Sequence, residues 1–515
     1  MFIEPLEPLE PITVPMQDLQ INVAGEWRRG RGAAYTSIYP ADGSVTAELH
    51  AASLQDTDEA IERAHHAFQT TDWVTRKPHE RAAVLFRVAE AIRAQREQLA
   101  HLQRRDNGKP ITETRALVDS AAGTFQFMAA ACETMEDRLT PQRGAQLTMS
   151  LHEPLGVVAA ITPWNSPIAS EAQKMAPALA AGNAIVVKPA EITPLAALAL
   201  ARICEQCGVP KGMVSVLPGK GSVVGDAIVR HPLVKRVAFT GGTTTGRTIA
   251  RQAADKLMPV SLELGGKSPT MVFADADMAH AVAGVLFGIF SSSGESCIAG
   301  SRLFVQRACY DDFMRRLVAG AYSLRVGDPL DERTQMGPLV SMAHRDGVER
   351  YVARGLADGG RLLCGGVRPS NTRANKPANT TTGLTFDMGS YLLPTIIDGL
   401  SNASAICQEE IFGPVLVALP FDDEADLVAQ ANDSVYALAA GIWTADYKRA
   451  WRVARAVQAG TVWINTYKQF SASTPFGGWR DSGLGREKGS QGILQCMQQK
   501  SVYWGLNEAP LPWSR

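Results

Sequence analysis

Cys297 is the residue whose setting best suits covalent chemistry. It follows a run rich in serine and glycine, residues 291–296, which would leave the sulfur accessible to a substrate. A thiolate attacks carbonyl carbon well and thioesters hydrolyse readily, so a cysteine in this setting suits acyl transfer. Taken alone, an unreactive cysteine in a glycine-containing turn would be the simpler interpretation.

Two further side chains could support such a nucleophile. Glu263 lies in the apolar segment 260–264, where a carboxylate is rarely found without a catalytic task or a partner. An ion pair with Lys267 is the competing explanation. Asn165 follows another apolar segment, and its amide could either donate to an oxyanion or cap a helix that begins near Ile168.

Two glycine-rich segments are candidates for binding a phosphate. Residues 219–225 follow a strand and open a helix, but their glycine spacing is one residue longer than in the dinucleotide-binding fingerprint. Residues 241–246 also join a strand to a helix, and their backbone N–H groups could face a pyrophosphate. A tight strand-to-helix turn requires glycine in any case, so either segment alone is a weak indication.

These residues fall in a chain that alternates short apolar strands with helices. Such alternation predicts an α/β protein with parallel sheets that bind ligands beyond the carboxyl ends of their strands. The predicted strands are residues 157–162, 184–188, 214–217, 236–240, 260–264, 303–306, 415–419, 440–443 and 462–465. The predicted helices lie near residues 168–181, 195–207, 223–230 and 244–255, with further helical periodicity over 56–102 and 125–135, and residues 139–151 predict a hairpin.

Composition argues against several classes of function. With 51 basic and 52 acidic side chains the net charge is -1, so no overall field favours nucleic acid or a membrane surface. No apolar run of about 18 residues and no leader-like segment is present, which disfavours a membrane span and secretion. Eight cysteines among 515 residues suit a reducing cytoplasm, and Cys204 and Cys207, within a predicted helix, are interpreted as two buried thiols rather than as a redox or metal pair.

Seven short segments together resemble the motifs of the aldehyde dehydrogenase superfamily, in the family's order and at about its spacing. The resemblance covers nearly all of residues 21–492. The segments are Thr162-Pro163-Trp164-Asn165, Lys188-Pro189-Ala190-Glu191, Phe239-Thr240-Gly241-Gly242, Glu263-Leu264-Gly265-Gly266-Lys267, Gly294-Glu295-Ser296-Cys297, Glu409-Glu410-Ile411-Phe412-Gly413-Pro414-Val415 and Pro475-Phe476-Gly477-Gly478.

The resemblance implies a reaction and a set of roles. Cys297 would be the nucleophile and Glu263 the general base that activates water. Asn165, with the backbone N–H of Cys297, would form the oxyanion hole. The product would be a carboxylic acid, formed with reduction of a nicotinamide cofactor and with no metal. A CoA-acylating dehydrogenase and a non-catalytic cofactor-binding homologue are the alternatives, and the water-activating Glu263 argues against the first.

The resemblance also implies the cofactor contacts. Lys188 and Glu191 would hold the adenosine ribose, Glu410 the nicotinamide ribose, and Phe412 would pack near the nicotinamide ring. A carboxylate at Glu191 would repel a 2′-phosphate, which favours NAD over NADP while leaving NADP possible. The full set of implied contacts is Thr162, Pro163, Trp164, Lys188, Glu191, Gly225, Phe239, Gly241, Gly242, Gly246, Leu264, Glu410 and Phe412.

The departures from the family pattern lie beside the functional positions. Gly242 stands where serine is usual and Thr244 where glutamate is common, which could loosen the pyrophosphate site. Ser296 and Ile298 flank the nucleophile where some relatives carry extra cysteines.

The implied architecture has a Rossmann-like parallel-sheet cofactor domain, an α/β catalytic domain and a small β oligomerisation arm. The cofactor domain would take residues 21–136 and 152–262, and the catalytic domain residues 263–475. The arm and C-terminal segment would take residues 137–151 and 476–515, in a homodimer or homotetramer. The proline-rich residues 1–20 would be an extended arm, either loose or lying on a neighbouring subunit.

The substrate tunnel is assigned to the loop before the last motif. Lys468 would attract an aldehyde that carries a carboxylate at its far end, with Phe470 as an apolar wall. Phe476 belongs to the same tunnel. A surface lysine that points outward is the alternative for Lys468. The sequence does not identify the aldehyde.

Overall fold

The computed structural model describes residues 19–370, 385–508 and 513. Almost all of the proline-rich arm predicted for residues 1–20 therefore lies outside the described residues. Within the described part, no helix is both long enough and apolar enough to cross a bilayer.

Strands and helices alternate along most of the described chain. The strands, labelled β1 to β22 in chain order, are Ile21–Val23, Glu26–Arg28, Ala34–Ile38, Val45–His50, Arg138–Thr140, Gln146–Pro154, Val157–Ile161, Ala184–Lys188, Val214–Val216, Val234–Thr240, Val260–Glu263, Pro269–Val272, Arg302–Gln306, Arg361–Cys364, Thr395–Asp398, Val415–Phe421, Tyr436–Ala437, Ala439–Trp443, Thr461–Ile464, Trp479–Arg480, Gly483–Leu484 and Met497–Gly505. The α-helices, labelled α1 to α15, are Leu54–Thr70, Pro78–Ala94, Arg96–Asn107, Ile111–Glu133, Pro167–Ala180, Leu195–Gln206, Asp226–Arg230, Thr243–Ala254, Met278–Phe290, Tyr310–Ser323, Met342–Ala357, Ala405–Gln408, Glu424–Asn432, Tyr447–Ala456 and Gly489–Leu494.

The first large sheet has eight strands in the order β2-β1-β9-β8-β7-β10-β11-β21. Its five central strands, β9, β8, β7, β10 and β11, are parallel. Strands β7 and β8 are buried at every residue, as expected when helices cover both faces of a parallel sheet. The α/β fold class predicted from the alternation of strands and helices is confirmed.

The second large sheet has seven strands in the order β14-β15-β16-β13-β12-β18-β19. All of its pairings are parallel except the edge pair of β14 with β15. The sequence did not reveal β12, although it lies in the middle of this sheet. It begins at a proline and has only four residues, so it carries too little periodicity to be recognised.

A small antiparallel sheet joins two distant parts of the chain. It has the order β22-β6-β5, and β22 pairs with β6 along its whole length. The hairpin predicted for residues 139–151 is present as β5 and β6. The C-terminal segment also contributes β21 to the edge of the eight-stranded sheet, so it does not serve the small sheet alone.

The predicted strands and helices are present in the structure, and the main differences concern where helices begin and end. Each predicted strand matches an observed strand to within two residues at either end. The periodic stretch 56–102 comprises three helices, and the helix predicted for 125–135 is the end of the longer α4. The helix predicted for 223–230 begins as a π-helical turn, Gly221–Gly225, and continues as α7.

Candidate active site

Loops after parallel strands of the first sheet meet a loop of the second sheet at a cavity of about 200 Å³. The contributing segments follow β7, β10 and β11, whose carboxyl ends lie on the same side of the sheet. The cavity is lined by Pro163, Trp164, Asn165, Thr240, Gly241, Gly242, Glu263, Leu264, Gly265, Cys297, His344, Glu410 and Phe412. The three side chains with predicted catalytic roles are thus brought together.

The nucleophile candidate stands on a tightly constrained loop. Helix α9 ends at Phe290, and Ser292 and Ser293 then adopt positive φ angles of 58° and 55°. Gly294 follows at φ +71°, and a Cβ there would lie 2.2 Å from the Gly413 carbonyl oxygen, so only glycine fits. Non-glycine residues with positive φ store strain of about 1–3 kcal/mol each and are frequent at functional sites.

The charges around Cys297 disfavour its thiolate. Burial is the largest effect and, with the Glu410 and Glu263 carboxylates, raises the pKa of Cys297 to about 12. The Lys468 ammonium and the backbone N–H of Cys297 act in the opposite direction. The thiol therefore requires further positive charge or a proton acceptor to become a nucleophile at neutral pH.

Glu263 has a carboxylate without a hydrogen-bonding partner. Its backbone ends β11, and both carboxylate oxygens are buried with no partner among the described residues. Burial raises the pKa of Glu263 well above its usual value, and Glu487 adds to the effect. The Lys267 ammonium likewise makes no hydrogen bond to any described residue, so the ion pair considered between Lys267 and Glu263 is absent. An available carboxylate with a raised pKa suits a general base.

Asn165 points toward the nucleophile loop. Its Nδ2 donates to the Glu295 carbonyl oxygen at 3.0 Å. The helix-capping alternative is wrong, because Ser166 occupies the N-cap of α5. One N–H of the amide is engaged in the bond to Glu295, which leaves the other available to an oxyanion in the cavity.

The start of α8 can accept a phosphate. Gly242 is its N-cap, no side chain caps its first turn, and Gly241 and Gly242 line the cavity. A Cβ at Gly241 would lie 2.5 Å from the Phe239 ring, so the close approach of these residues requires glycine. Free N–H groups at a helix N-terminus bind anions, which fits a pyrophosphate at this position. Among the two glycine-rich segments, 241–246 lies at the cavity and 219–225 does not line it.

Glu410 and the aromatic side chains of Trp164, His344 and Phe412 line another part of the cavity. Glu410 accepts a hydrogen bond from the Gly266 N–H at 3.0 Å, and burial raises its pKa to about 7. The Phe412 ring packs against Trp164 at 5.1 Å. His344 places its ring 5.2 Å from Trp164, with Nε2 at 2.8 Å from the Phe412 carbonyl oxygen. Phe412 itself has a φ of 59°.

Lys188 and Gly225 adjoin one another outside this cavity. A Cβ at Gly225 would lie 3.7 Å from Lys188 Cδ. Lys188 donates to the Pro189 carbonyl oxygen at 2.7 Å, and burial lowers its pKa to about 8. Glu191 is partly exposed and raises the Lys188 pKa in opposition to burial. The role of these residues as ribose contacts stays a prediction.

Besides Lys188, Glu191 and Gly225, three further predicted cofactor contacts do not line the cavity. The Thr162 hydroxyl donates to Glu171 at 2.7 Å, away from it. Phe239 and Gly246 lie behind the lining residues: the Phe239 ring supports Gly241, and a Cβ at Gly246 would lie 2.4 Å from Leu264. They shape the cavity through these neighbours.

The predicted tunnel residues adjoin the nucleophile on another side. Phe476 and Tyr467 belong to a hydrophobic cluster against which Cys297 packs. Phe470 packs on Phe476 at 5.5 Å and is 47% exposed. The surface alternative for Lys468 is wrong, because its ammonium donates to Ser291 Oγ at 2.8 Å and is half-buried.

Several residues at the site carried no usable signal in the sequence. His344 lines the cavity, and the buried Glu487 pairs with Lys174 beside Glu263. Each comes from an element distant in the chain, so only the fold reveals its role. Cys204 and Cys207 are both buried free thiols, which supports the interpretation that they are structural. The described residues contain no cluster of three or more metal-ligating side chains.

Known proteins match this chain over most of its length. Residues 27–502 match the model of the aldehyde dehydrogenase family. The chain is 38% identical to the putative aldehyde dehydrogenase DhaS of Bacillus subtilis, over 93% of each chain. It is 40% identical to betaine aldehyde dehydrogenase 1 of Rhizobium meliloti, over 94% of this chain and 96% of that protein.

A solved structure extends the likeness to three dimensions. The NAD+ complex of the aldehyde dehydrogenase from Bacillus cereus superposes with a TM-score of 0.90 at 36% identity, over 95% of this chain and 97% of that one. The family match over residues 27–502 includes every residue that lines the cavity. This chain belongs to the aldehyde dehydrogenase family.

Proposed function

We propose that this protein oxidises an aldehyde to a carboxylic acid with NAD as the hydride acceptor, through a thioester on Cys297. The observation that carries the proposal is the convergence of Cys297, Asn165 and Glu263 on one cavity. The three residues come from separate segments of the chain, and each supplies a different requirement of acyl chemistry: nucleophile, oxyanion donor and base.

The chain's own residues would act in the following order. The Cys297 thiolate adds to the carbonyl carbon, and the resulting oxyanion accepts hydrogen bonds from Asn165 Nδ2 and the Cys297 backbone N–H. NAD, when bound, supplies the hydride acceptor that allows the adduct to become a thioester. Glu263 then takes a proton from water, the hydroxide attacks the thioester carbon, and the acid leaves as the Cys297 thiolate is restored.

The residues present fit NAD. The uncapped start of α8 suits the pyrophosphate, Glu410 suits a ribose hydroxyl, and the Phe412 ring suits the nicotinamide face. The Bacillus cereus relative binds NAD+ in its solved structure. A direct test is NADH formation from NAD and a panel of aliphatic, aromatic, amino and carboxylated aldehydes. Stoichiometric NAD binding without NADH from any of them would favour a non-catalytic homologue instead.

We expect NAD to exceed NADP in kcat/KM, and Glu191→Gln to narrow that difference. A carboxylate beside the 2′ position repels a phosphate there, and removing this repulsion is worth about 1–2 kcal/mol, or roughly tenfold in the ratio. Glu62→Gln, at an exposed position of α1, is the matched control and leaves the ratio unchanged. A wild-type preference for NADP would contradict this role of Glu191.

We also expect both kcat and kcat/KM to rise with pH from about 6 to about 9. Cys297 and Glu263 both act in their deprotonated forms, and burial raises the pKa of each. The active fraction of each therefore grows as pH increases toward its raised pKa. The measurement is a pH profile with a single saturating NAD concentration, and a profile that falls over this range would rule out the proposed base and nucleophile.

Assembly into a homodimer or homotetramer through the small sheet is part of the proposal. Three large side chains on and beside this sheet, Leu139, Tyr503 and Trp504, are 70%, 71% and 63% exposed in the single chain. Apolar surface of this kind marks a protein interface. The domain boundaries inferred from the sequence likewise remain proposals.

A further inference from the structure

Two lysine side chains at the tunnel lie half-buried without a carboxylate partner. Lys468 and Lys488 are both partly buried, and among the described residues no carboxylate oxygen lies within 4.0 Å of either ammonium nitrogen. A lysine withdrawn from solvent is normally paired, because the loss of hydration is costly. Both sites therefore have unused capacity to bind an anion.

The fold holds both lysines beside the nucleophile. The Tyr467 hydroxyl donates to the carbonyl oxygen of Ile298 at 3.0 Å, which fixes the position of the neighbouring Lys468 relative to Cys297. The backbone N–H and carbonyl groups of Phe476 and Glu487 exchange two hydrogen bonds of 2.8 Å, which fix Lys488 against the same loop. Lys468 and Lys488 have positive φ angles of 54° and 59°, so both are held in an unfavourable backbone conformation.

Aromatic rings surround the two ammonium groups. The Lys468 nitrogen lies 5.9 Å from the centre of the Phe287 ring, which is 48% exposed. The Lys488 nitrogen lies 4.1 Å from the centre of the Phe470 ring and 5.8 Å from that of Phe476. These rings offer an apolar wall, and the aromatic cluster that includes Phe476 reaches Cys297.

Of the carboxylates that act on the two lysines, those of Glu113 and Glu487 are already engaged, whereas the Glu263 carboxylate near Lys488 has no hydrogen-bonding partner among the described residues and is the proposed base. Glu113 accepts hydrogen bonds from the Ser292 N–H at 2.8 Å and the Ser292 hydroxyl at 3.2 Å. Glu487 is bonded by Lys174 and Gln173. The Lys468 ammonium makes one hydrogen bond, to Ser291, and Lys488 makes none among the described residues. Burial, the largest effect on each, lowers the pKa of both lysines to about 8, and an anion bound beside either ammonium group would oppose that shift.

We propose that Lys468 and Lys488 bind a carboxylate at the far end of the substrate, so that the preferred substrates are aldehydes carrying a carboxylate beyond an apolar or aromatic segment. The aldehyde carbon would meet Cys297, the segment would pack on the phenylalanine rings, and the carboxylate would accept hydrogen bonds from the ammonium groups. This inference rests on the proposed aldehyde oxidation. The product would be a dicarboxylic acid.

The decisive comparison uses 4-carboxybenzaldehyde and its methyl ester, which differ in the distant charge and in one methyl group. We expect the wild type to favour the acid, and Lys468→Met and Lys488→Met each to lower the acid-to-ester ratio of kcat/KM about tenfold, the size of one lost charge-assisted hydrogen bond. The preference should weaken at high salt, because screening reduces the attraction. Lys448→Met, at an exposed position of α14, is the matched control and leaves the ratio unchanged.

The alternative roles of the lysines give different results. If they serve only to stabilise the Cys297 thiolate, both substrates lose rate equally and the ratio is unchanged, which overturns the proposal. A wild type that oxidises the ester as well as the acid also overturns it, while the proposed oxidation stands. Lys468→Gln, which keeps a polar side chain, distinguishes loss of charge from a folding defect.

A binding measurement separates this inference from the proposed function. Terephthalate, the product of 4-carboxybenzaldehyde, should raise the Tm of the wild type more than benzoate does, and the difference should disappear in Lys468→Met. This readout needs no turnover. Terephthalate binding without NADH formation would leave the lysine site supported and the proposed function rejected, and equal Tm shifts by the two acids would reject the lysine site.

Discussion

Cys297→Ser is expected to lower the rate of aldehyde oxidation about 10⁴-fold or more, the scale seen when a catalytic nucleophile is removed. A serine hydroxyl ionises far less readily than a thiol and forms no thioester, so the covalent route closes. The substitution changes one atom in a loop already restrained by Gly294 and the strained serines before it. NAD affinity should therefore stay close to that of the wild type.

The control for this variant is Cys309→Ser. Cys309 is the other partly exposed cysteine, and it lies at the start of α10, outside the cavity. Steady-state NADH formation and calorimetric titration with NAD should be measured for both variants. Activity of Cys297→Ser within a few-fold of wild type would remove Cys297 from the nucleophilic role.

Glu263→Gln is expected to give a burst of about one equivalent of NADH per active site and then to stall. Glutamine keeps the shape of the buried side chain, and no described residue makes a hydrogen bond to the carboxylate that would be lost. Thioester formation can still occur, but no base remains to activate water. The acyl group should be detectable on Cys297 by mass spectrometry after the burst.

Hydroxylamine is a suitable control for the stalled enzyme, because it attacks thioesters without help from a base. Its addition should restore NADH formation in Glu263→Gln. Added CoA should yield no acyl-CoA in the wild type, since a hydrolytic enzyme uses water as the acceptor. An unchanged steady state without a burst would assign water activation to another group, and acyl-CoA would favour the CoA-acylating alternative.

The sequence alone predicted those features of the site that follow from a local pattern with a direct physical meaning. Glu263 interrupts an apolar strand, and strands that alternate with helices form parallel sheets whose carboxyl ends share one edge. Its proximity to the segments after β7 and β10 was therefore predictable. The same reasoning gave the α/β class and every predicted strand, because buried parallel strands are short continuous apolar runs.

The local sequence pattern could not decide between alternatives in which the same side chain points in different directions. An asparagine after a strand can cap a helix or face a ligand, and the structure assigns the cap to Ser166 and directs Asn165 to Glu295. Lysine is usually exposed, yet the turn at Lys468 directs its ammonium inward to Ser291. The hydrogen bond from Tyr467 to Ile298 holds that turn, and no pattern in the loop sequence predicts it.

The sequence by itself determined the fold class, the nucleophile candidate and the edge of the sheet where chemistry would occur, because hydrophobic periodicity and strand direction are local properties. Only the tertiary structure decided which charges surround Cys297. Glu410 and Lys468 reach it from segments more than one hundred residues farther along the chain, and Lys488 from one nearly two hundred residues farther. Electrostatic energies depend on distance and burial, and both are set by the packing of the whole chain.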